Sequence, residues 1–305
     1  MKSALIAALL ALAPASGAAE ETAAFLKIGV GARALGMGGA YTAVANDVNS
    51  IAWNPAGLAG VGKRELGVTH TQLAADTRYD VLAYGQALSY GTLAVSGGSL
   101  GQGAIDSRDD SGHAAGSFTA GDSVVNVGYG AKLALGMRLG GAVKYVQSRI
   151  ASYSAQTYAV DLGGQYELGY QGPGVPIVAA AVQNVGPGMR FLDQRSALPL
   201  TVAAGTAYRL PLGLTFAADY KYHPNLRSSE ISVGTEYSLL SNFAIRGGYG
   251  SARALNGGTT TGAAASLNGM AAGFGIRMLG YTVDYSITPF GELGNVQRFS
   301  LGARF

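Results

Sequence analysis

Gln297-Arg298-Phe299-Ser300-Leu301-Gly302-Ala303-Arg304-Phe305 alternates without a break. Phe299, Leu301, Ala303 and Phe305 share one face, and Arg298, Ser300, Gly302 and Arg304 the other. A period of two is the signature of a strand, because successive side chains leave a pleated backbone on opposite sides. One side of this strand is apolar enough for hydrocarbon, while the other carries charge.

The same pattern recurs through the rest of the chain. From Arg64 on, segments of about ten residues alternate in hydropathy and are separated by Gly, Asn, Pro or Ser, which predicts strands near 64–72, 77–86, 91–100, 121–131, 136–147, 155–167, 175–185, 198–209, 213–223, 229–239, 242–251, 268–278, 280–288 and 295–305. The total is about fourteen, and an even count of antiparallel strands of this length is the pattern of a bacterial transmembrane β-barrel. Ser89-Tyr90-Gly91, Pro211-Leu212-Gly213, Leu240-Ser241-Asn242 and Leu279-Gly280 read as tight turns, alternating with longer segments at 101–120, 186–197 and 252–267. Short turns on one rim and long loops on the other follow, with both termini expected on the short-turn rim. Phe299, Leu301 and Phe305 then form an apolar terminal signature resembling the signal by which outer-membrane barrels are recognised for assembly.

The two faces of each strand can be read separately. In 213–223, Leu214, Phe216, Ala218, Tyr220 and Tyr222 oppose Thr215, Ala217, Asp219 and Lys221; in 229–239, Ile231, Val233 and Tyr237 oppose Ser232, Gly234, Glu236 and Ser238. The first sets suit lipid, with tyrosines at the interface, and the second the lumen. Extending the rule places Arg78, Asp80, Lys132, Lys144, Asp161, Arg246, Arg277, Asp284, Arg298 and Arg304 inside as well. Charges of both signs in a lumen have two readings: a paired network bracing wall and plug, or a wet permeation path with charged walls.

Composition supports a barrel. Charged residues are only 13% of the 305-residue chain, Gly numbers 47, Tyr 17, and mean hydropathy is +0.21. The net charge of +3 is dispersed among carboxylates, so nucleic acid is not an expected partner. With no cysteine, disulfides, thiolate metal sites and a lipoprotein anchor are excluded. Lys2, the apolar run Ala4 to Ala13 and the small residues Ala15 to Ala19 read as a secretory signal peptide over 1–19, too short to span a bilayer as a helix.

Residues 23–62 have no strand pattern. Tyr41, Val44, Ala45 and Val48 recur at helical spacing, predicting a short helix over 39–48, and Asn54 before Pro55 is an N-cap followed by a residue preset for the first helical position. Such a segment cannot bury itself alone, and the lumen is the cavity it requires. Gly29-x-Gly31-x-x-Ala34 formally fits a relaxed dinucleotide fingerprint, but no strand-helix-strand unit follows, and Gly31-(x)4-Gly36 lacks a P-loop's Lys-Ser/Thr. The glycines are better read as allowing close backbone packing against the wall.

The stretch GARALGMGGAYTAVANDVNSIAWNPAGLAG, containing Gly31, Arg33, Gly36, Met37, Gly38, Gly39, Ala40, Asp47, Trp53, Asn54, Pro55, Ala56, Gly57 and Leu58, resembles the N-terminal signature of the PorV/PorQ family of FadL-like outer-membrane proteins. Gln183-Asn184-Val185-Gly186, followed by Leu198-Pro199-Leu200, resembles that family's mid-barrel pattern. The resemblance implies a fourteen-stranded barrel with an N-terminal hatch. It also implies one of two roles: binding the C-terminal domains of secreted proteins or a translocon in type IX secretion, or, as in more distant FadL relatives, passing hydrophobic small molecules through a hatch and a lateral wall opening.

A search for chemistry yields nothing catalytic. His70, His113 and His223 lie on separate segments with no helical partner, and His70 alone is read as near the wall, without a third orienting group. Asp106, Asp109, Asp110 and Asp122 match no calcium-loop spacing and read as a solvated loop. The expectation is an all-β, non-enzymatic barrel over 20–305, with a hatch at 23–62 and the barrel at 64–305, in the outer membrane of a diderm bacterium, without cofactor or metal. Its partners would be lipid, the barrel assembly machinery and either a secretion component or a hydrophobic small molecule. A wall gap beside the hatch would favour transport, with Gly97-Gly98, Gly140-Gly141, Gly163-Gly164 and Gly247-Gly248 as candidate kinks.

Overall fold

The amide of Arg64 donates to the Phe305 carbonyl and the amide of Phe305 to the Arg64 carbonyl, both at 3.1 Å, so the first and last strands of the sheet meet. In the computed structural model, which describes residues 21–74, 76–103, 105–108, 111, 113–169, 172–191, 193–240, 242–251, 268–289 and 295–305, this pairing closes a barrel. The expected signal peptide and the 252–267 loop lie outside the described residues.

The chain-ordered strands are β1 (Arg64–Gln72), β2 (Arg78–Leu88), β3 (Gly91–Gly101), β4 (Ile105–Arg108), β5 (Ala114–Phe118), β6 (Ala120–Lys132), β7 (Met137–Ile150), β8 (Tyr153–Glu167) and β9 (Val175–Val185). There follow β10 (Met189–Phe191), β11 (Gln194–Ser196), β12 (Thr201–Arg209), β13 (Leu214–His223), β14 (Ser228–Leu240), β15 (Phe243–Gly250), β16 (Met270–Met278), β17 (Tyr281–Pro289) and β18 (Asn295–Arg304). Fourteen form one closed antiparallel barrel in which each pairs with its neighbours in sequence, and β18 returns to β1 from Glu65 opposite Arg304 to Gln72 opposite Gln297. Closure removes the unpaired edges that a bilayer would not tolerate. The strands agree with the sequence reading to within a few residues.

The remaining four strands among the described residues form two small hairpins, β4–β5 and β10–β11, within long-rim connections that the sequence pattern assigns to loops. The rims are also less unequal than expected. Residues 73–77, 151–152 and 224–227 are short links on the rim that carries the long connections 102–119 and 186–200.

Alternation separates the faces as the sequence required. Phe216, Ile231, Val233, Phe299, Leu301 and Phe305 are exposed on the outer wall, whereas Thr215, Asp219, Ser232, Glu236, Arg298 and Ser300 are buried inside. Arg78 and Asp80 are a correction: both lie on the outer face, and the inward residues of β2 are Tyr79, Val81 and Ala83. This strand is apolar on both faces at its centre, and its charges sit at the long-loop end, where water reaches the outer wall.

The lumen is filled by residues 21–62. Glu21 bridges Ala197 at the long-loop rim, the chain descends through the lumen, and it leaves at the short-turn rim to begin β1. The described chain therefore starts at the rim opposite the one expected for the N-terminus; only the barrel itself begins and ends on the short-turn side. The predicted helix over 39–48 is absent. A single helical turn, α1 (Ala32–Gly36), is followed by turns and by 3-10 segments at Val48–Ala52 and Pro55–Gly60. Gly38 and Gly39 adopt φ of +70° and +84°, and the amides of Tyr41 and Thr42 are taken by Asp219 of the wall at 2.9 and 2.8 Å. Contacts with the wall have outcompeted a helix too short to be stable alone.

Candidate functional site: the plugged lumen

On the side formed by β13 to β18 and β1, the plug is fastened by charge. Arg33, on α1, donates Nε–H and Nη2–H to the two oxygens of Glu236, each at 2.7 Å, and Nη1–H to Asn46 Oδ1 at 2.6 Å and Tyr41 Oη at 3.1 Å. Tyr41 donates its hydroxyl to Asp47 Oδ2 at 2.6 Å, and Asp47 lies 3.6 Å from Arg33. From the wall, Arg246 donates to Glu236 at 2.7 Å and to Asp284 at 2.6 Å. Asp47, Arg33, Glu236, Arg246 and Asp284 thus alternate in sign, and a buried charge persists only when paired in this way. Burial opposes the charge on Arg33, but Glu236, Tyr41 and Asp47 outweigh it and hold the guanidinium well above its ordinary range. Burial likewise pushes the Tyr41 phenol well up, with Arg33 pulling the other way and Asp47 adding to the rise.

The other predicted lumen residues extend this fastening. Asp219 Oδ2 accepts a third bond from the Thr42 hydroxyl at 2.7 Å. Lys221 donates to the Gly39 carbonyl at 3.1 Å and stands 4.6 Å from the centre of the Trp53 ring. Arg298 is buried and reaches Thr288, and Ser300 accepts the Ala32 amide at 2.9 Å. Arg277 and Arg304 have the inward parity but are exposed at the short-turn mouth, where Arg304 donates to Glu65 at 3.2 Å and Arg277 lies beside Asp284. Lys132 has the inward parity but extends past the rim and is exposed.

The motif residues are spent on packing within the lumen. Met37, Ala40, Ala56 and Leu58 are fully buried. Trp53 donates its indole N–H to the Val30 carbonyl at 2.8 Å, and Asn54 Oδ1 caps the Ala56 amide at 3.1 Å while its Nδ2 donates to Thr42 and Gly164 carbonyls. Two wall glycines permit this closeness: a Cβ on Gly248 would lie 2.2 Å from the Met37 carbonyl carbon, and one on Gly140 2.3 Å from that of Pro55. Gly31, with φ +89°, turns the chain into α1.

On the side formed by β2, β3, β6, β7 and β8, the plug is held mainly by apolar contact. Phe25 and Val30 pack with Tyr79, Val81, Val124, Val146, Ala155 and Ala159, with Leu26 and Ile28 beside them; Met189 of the β10–β11 hairpin and Leu198 cover the top. A cavity of about 30 Å³ lies between residues 26–30, Asn49, Ile51 and this wall. Three polar side chains, Ser96, Asn126 and Lys144, cross it at one level. Lys144 continues into a buried pair with Asp161 at 2.7 Å and donates to Asn184 Oδ1 at 2.7 Å.

Beside that pair, the sheet ladder slips. Val160 faces Val185 but Leu162 faces Val182, and Asn184 has φ +61° with its amide donated to Asp161 Oδ1 at 2.8 Å. The glycine pairs proposed as kinks are not responsible. Gly97-Gly98, Gly140-Gly141, Gly163-Gly164 and Gly247-Gly248 all keep regular register.

His70, read as near the wall, is on its outer face, and His223 occupies an inside position that the sequence reading does not identify. His70 Nδ1 lies 2.6 Å from Asp80 Oδ1. His223 is inside, between Thr201 Oγ1 at 3.1 Å and Glu230 Oε1 at 3.0 Å. Continuing the inward series Thr215, Ala217, Asp219, Lys221 by one step would have found it. The Thr201 hydroxyl also lies 3.1 Å from the Pro199 carbonyl, which can only accept its proton, so the group braces the rim. Among the aspartates read as a loop, Asp122 accepts a hydrogen bond from Ser148 across β6 and β7, and Asp109 and Asp110 lie outside the described residues.

A closed fourteen-stranded antiparallel barrel, apolar outside and plugged by its own N-terminal segment, defines an outer-membrane-type β-barrel fold. The chain belongs to the uncharacterised protein family UPF0164, whose model matches residues 9–165. No curated protein matches the sequence. Among solved structures, the chain is similar to the Ralstonia pickettii toluene transporter TbuX, with a TM-score of 0.64 and 14% identity over 91% of this chain and 98% of that one. It is also similar to the monoaromatic hydrocarbon channel CymD, with a TM-score of 0.63 and 14% identity over 91% and 98%. The P. putida toluene transporter TodX gives 0.62 and 12% over 91% and 99%. At such identities the likeness is one of fold.

Proposed function

We propose that this protein is a FadL-like passive transporter of small hydrophobic molecules in the outer membrane of a diderm bacterium. The observation that carries this reading is the division of the lumen. The charged side is bonded to the plug by an ion-pair network, while the opposite side, from the long-loop mouth toward the slipped β8–β9 ladder, is packed mainly by apolar contact. A hydrophobic solute on that side avoids the Arg33–Glu236–Arg246–Asp284 network, passes the single Lys144–Asp161 pair beside the slip and leaves sideways into lipid, so it never needs to be dissolved in water. The cavity of about 30 Å³ is far below the roughly 150 Å³ that holds a benzene ring, so residues 24–30 must move aside for passage. The names of the toluene transporters TbuX and TodX and of the monoaromatic hydrocarbon channel CymD support the same reading.

The test is uptake of labelled toluene by proteoliposomes containing the folded barrel. Wild-type protein is expected to accelerate uptake over empty liposomes, and Val124→Trp, which fills the cavity, to abolish the gain while leaving the heat-modifiable folded band. Uptake no faster than in empty liposomes would refute transport.

Membership in the PorV/PorQ family, with a role in secretion or surface attachment, is the second reading and rests on residues 31–60. Those side chains are mostly buried against the wall, so the motif speaks for the plug and leaves cargo unaddressed. Stoichiometric recovery of a large partner from solubilised outer membrane would favour this second role.

A further inference from the structure

The apolar side of the lumen contains a polar row for which no hydrogen bond to the plug is found among the described residues. Ser96, Asn126 and Lys144 are direct cross-strand partners on β3, β6 and β7, and all three line the cavity. They are 2%, 6% and 5% exposed. Asn126 donates Nδ2–H to Ser96 Oγ at 2.8 Å, but its Oδ1 accepts no hydrogen bond. Lys144 donates to Asn184 Oδ1 and forms an ion pair with Asp161, and an ammonium has three donors. Its aliphatic stem and the surrounding Val81, Val124, Ile51 and Leu26 supply an apolar enclosure.

We infer that this row selects hydrophobic molecules bearing one hydroxyl group; the inference rests on the transport reading above. A hydroxyl both donates and accepts, so it can donate to Asn126 Oδ1 and accept from the remaining Lys144 N–H, with the apolar body lying along β2, β3 and β6. A hydrocarbon leaves both groups unpaired in a water-poor site, where an unmade hydrogen bond is costly. A carboxylate has no proton for Asn126 Oδ1. In the closed lumen the cavity is large enough for one water on these groups, and a hydroxyl that reproduces its bonds displaces it at least cost.

Equilibrium dialysis of the folded, detergent-solubilised full chain against labelled phenol, toluene and benzoate at neutral pH tests this. Phenol should bind about tenfold more tightly than toluene, with benzoate weakest. Asn126→Leu should bring phenol to the toluene level without weakening toluene, and Ser96→Ala, which leaves Asn126 Oδ1 in place, should keep the preference. Folding of each variant is checked by heat-modifiable mobility. Equal binding of phenol and toluene by wild type, or a preference that survives Asn126→Leu, overturns the inference while leaving transport intact. Tightest binding of benzoate overturns it in favour of an anionic head group. Binding of none of the three overturns the transport reading and this inference with it.

Discussion

The two sides of the lumen hold the same plug by different physics. Toward β13–β18, charge-assisted bonds from Arg33, Asp219, Glu236 and Arg246 fix it at defined atoms. Toward β2–β8, Phe25, Ile28, Val30 and Ile51 lie against valines, alanines and a tyrosine. Directional bonds between buried charges are lost all at once, whereas apolar surfaces can slide and repack. The difference assigns anchoring to one side and yielding to the other.

The largest expected effect tests the anchor. Glu236→Ala leaves Arg33 and Arg246 buried without their shared carboxylate, a loss of about 3–5 kcal/mol. Planar-bilayer recordings should then show large stable conductance steps that the wild type lacks; a sealed variant would mean that apolar contact alone holds the plug. Next comes the outer wall of the same strands, where Val233→Arg, mid-strand on β14 opposite Ala218, should cost about 2–4 kcal/mol as at a bilayer midplane and Ser232→Arg should instead disturb the plug. Urea unfolding in lipid vesicles distinguishes them, and equal tolerance would mean that both faces of β14 meet water.

A smaller effect depends on pH. The folded protein retains the Tyr41 proton that the unfolded chain loses near pH 10, because burial raises this phenol. The associated stability is therefore complete below that pH and falls by about 1.4 kcal/mol per unit above it. Leak through the plug should rise above about pH 10 and be less pH-dependent in Tyr41→Phe. Least costly is Ile51→Val on the yielding side, at about 1 kcal/mol. It should enlarge the cavity and raise toluene uptake with no open pore; a pore would place the anchor on the wrong side.

The strand count, the two faces of β13, β14 and β18, and the capping role of Asn54 were legible in the residues because each depends on a period of two or on neighbours in sequence. The same local rule failed at Arg78 and Asp80, since alternation identifies two faces but not which one points inward when both are apolar, and the β2 orientation is set by Tyr79 packing on Phe25 at 6.2 Å. It failed again over 39–48, where helical spacing was overruled by a carboxylate 177 residues away. Spacing could likewise show that Arg33, Glu236 and Arg246 were suited to a lumen, but not that they form one network, nor that Ser96, Asn126 and Lys144 lie side by side. Local sequence determines periodicity, turns and caps through short-range sterics and hydropathy. Barrel closure decides which charges meet and where the wall slips, because those contacts join residues that only a completed ring of strands brings together.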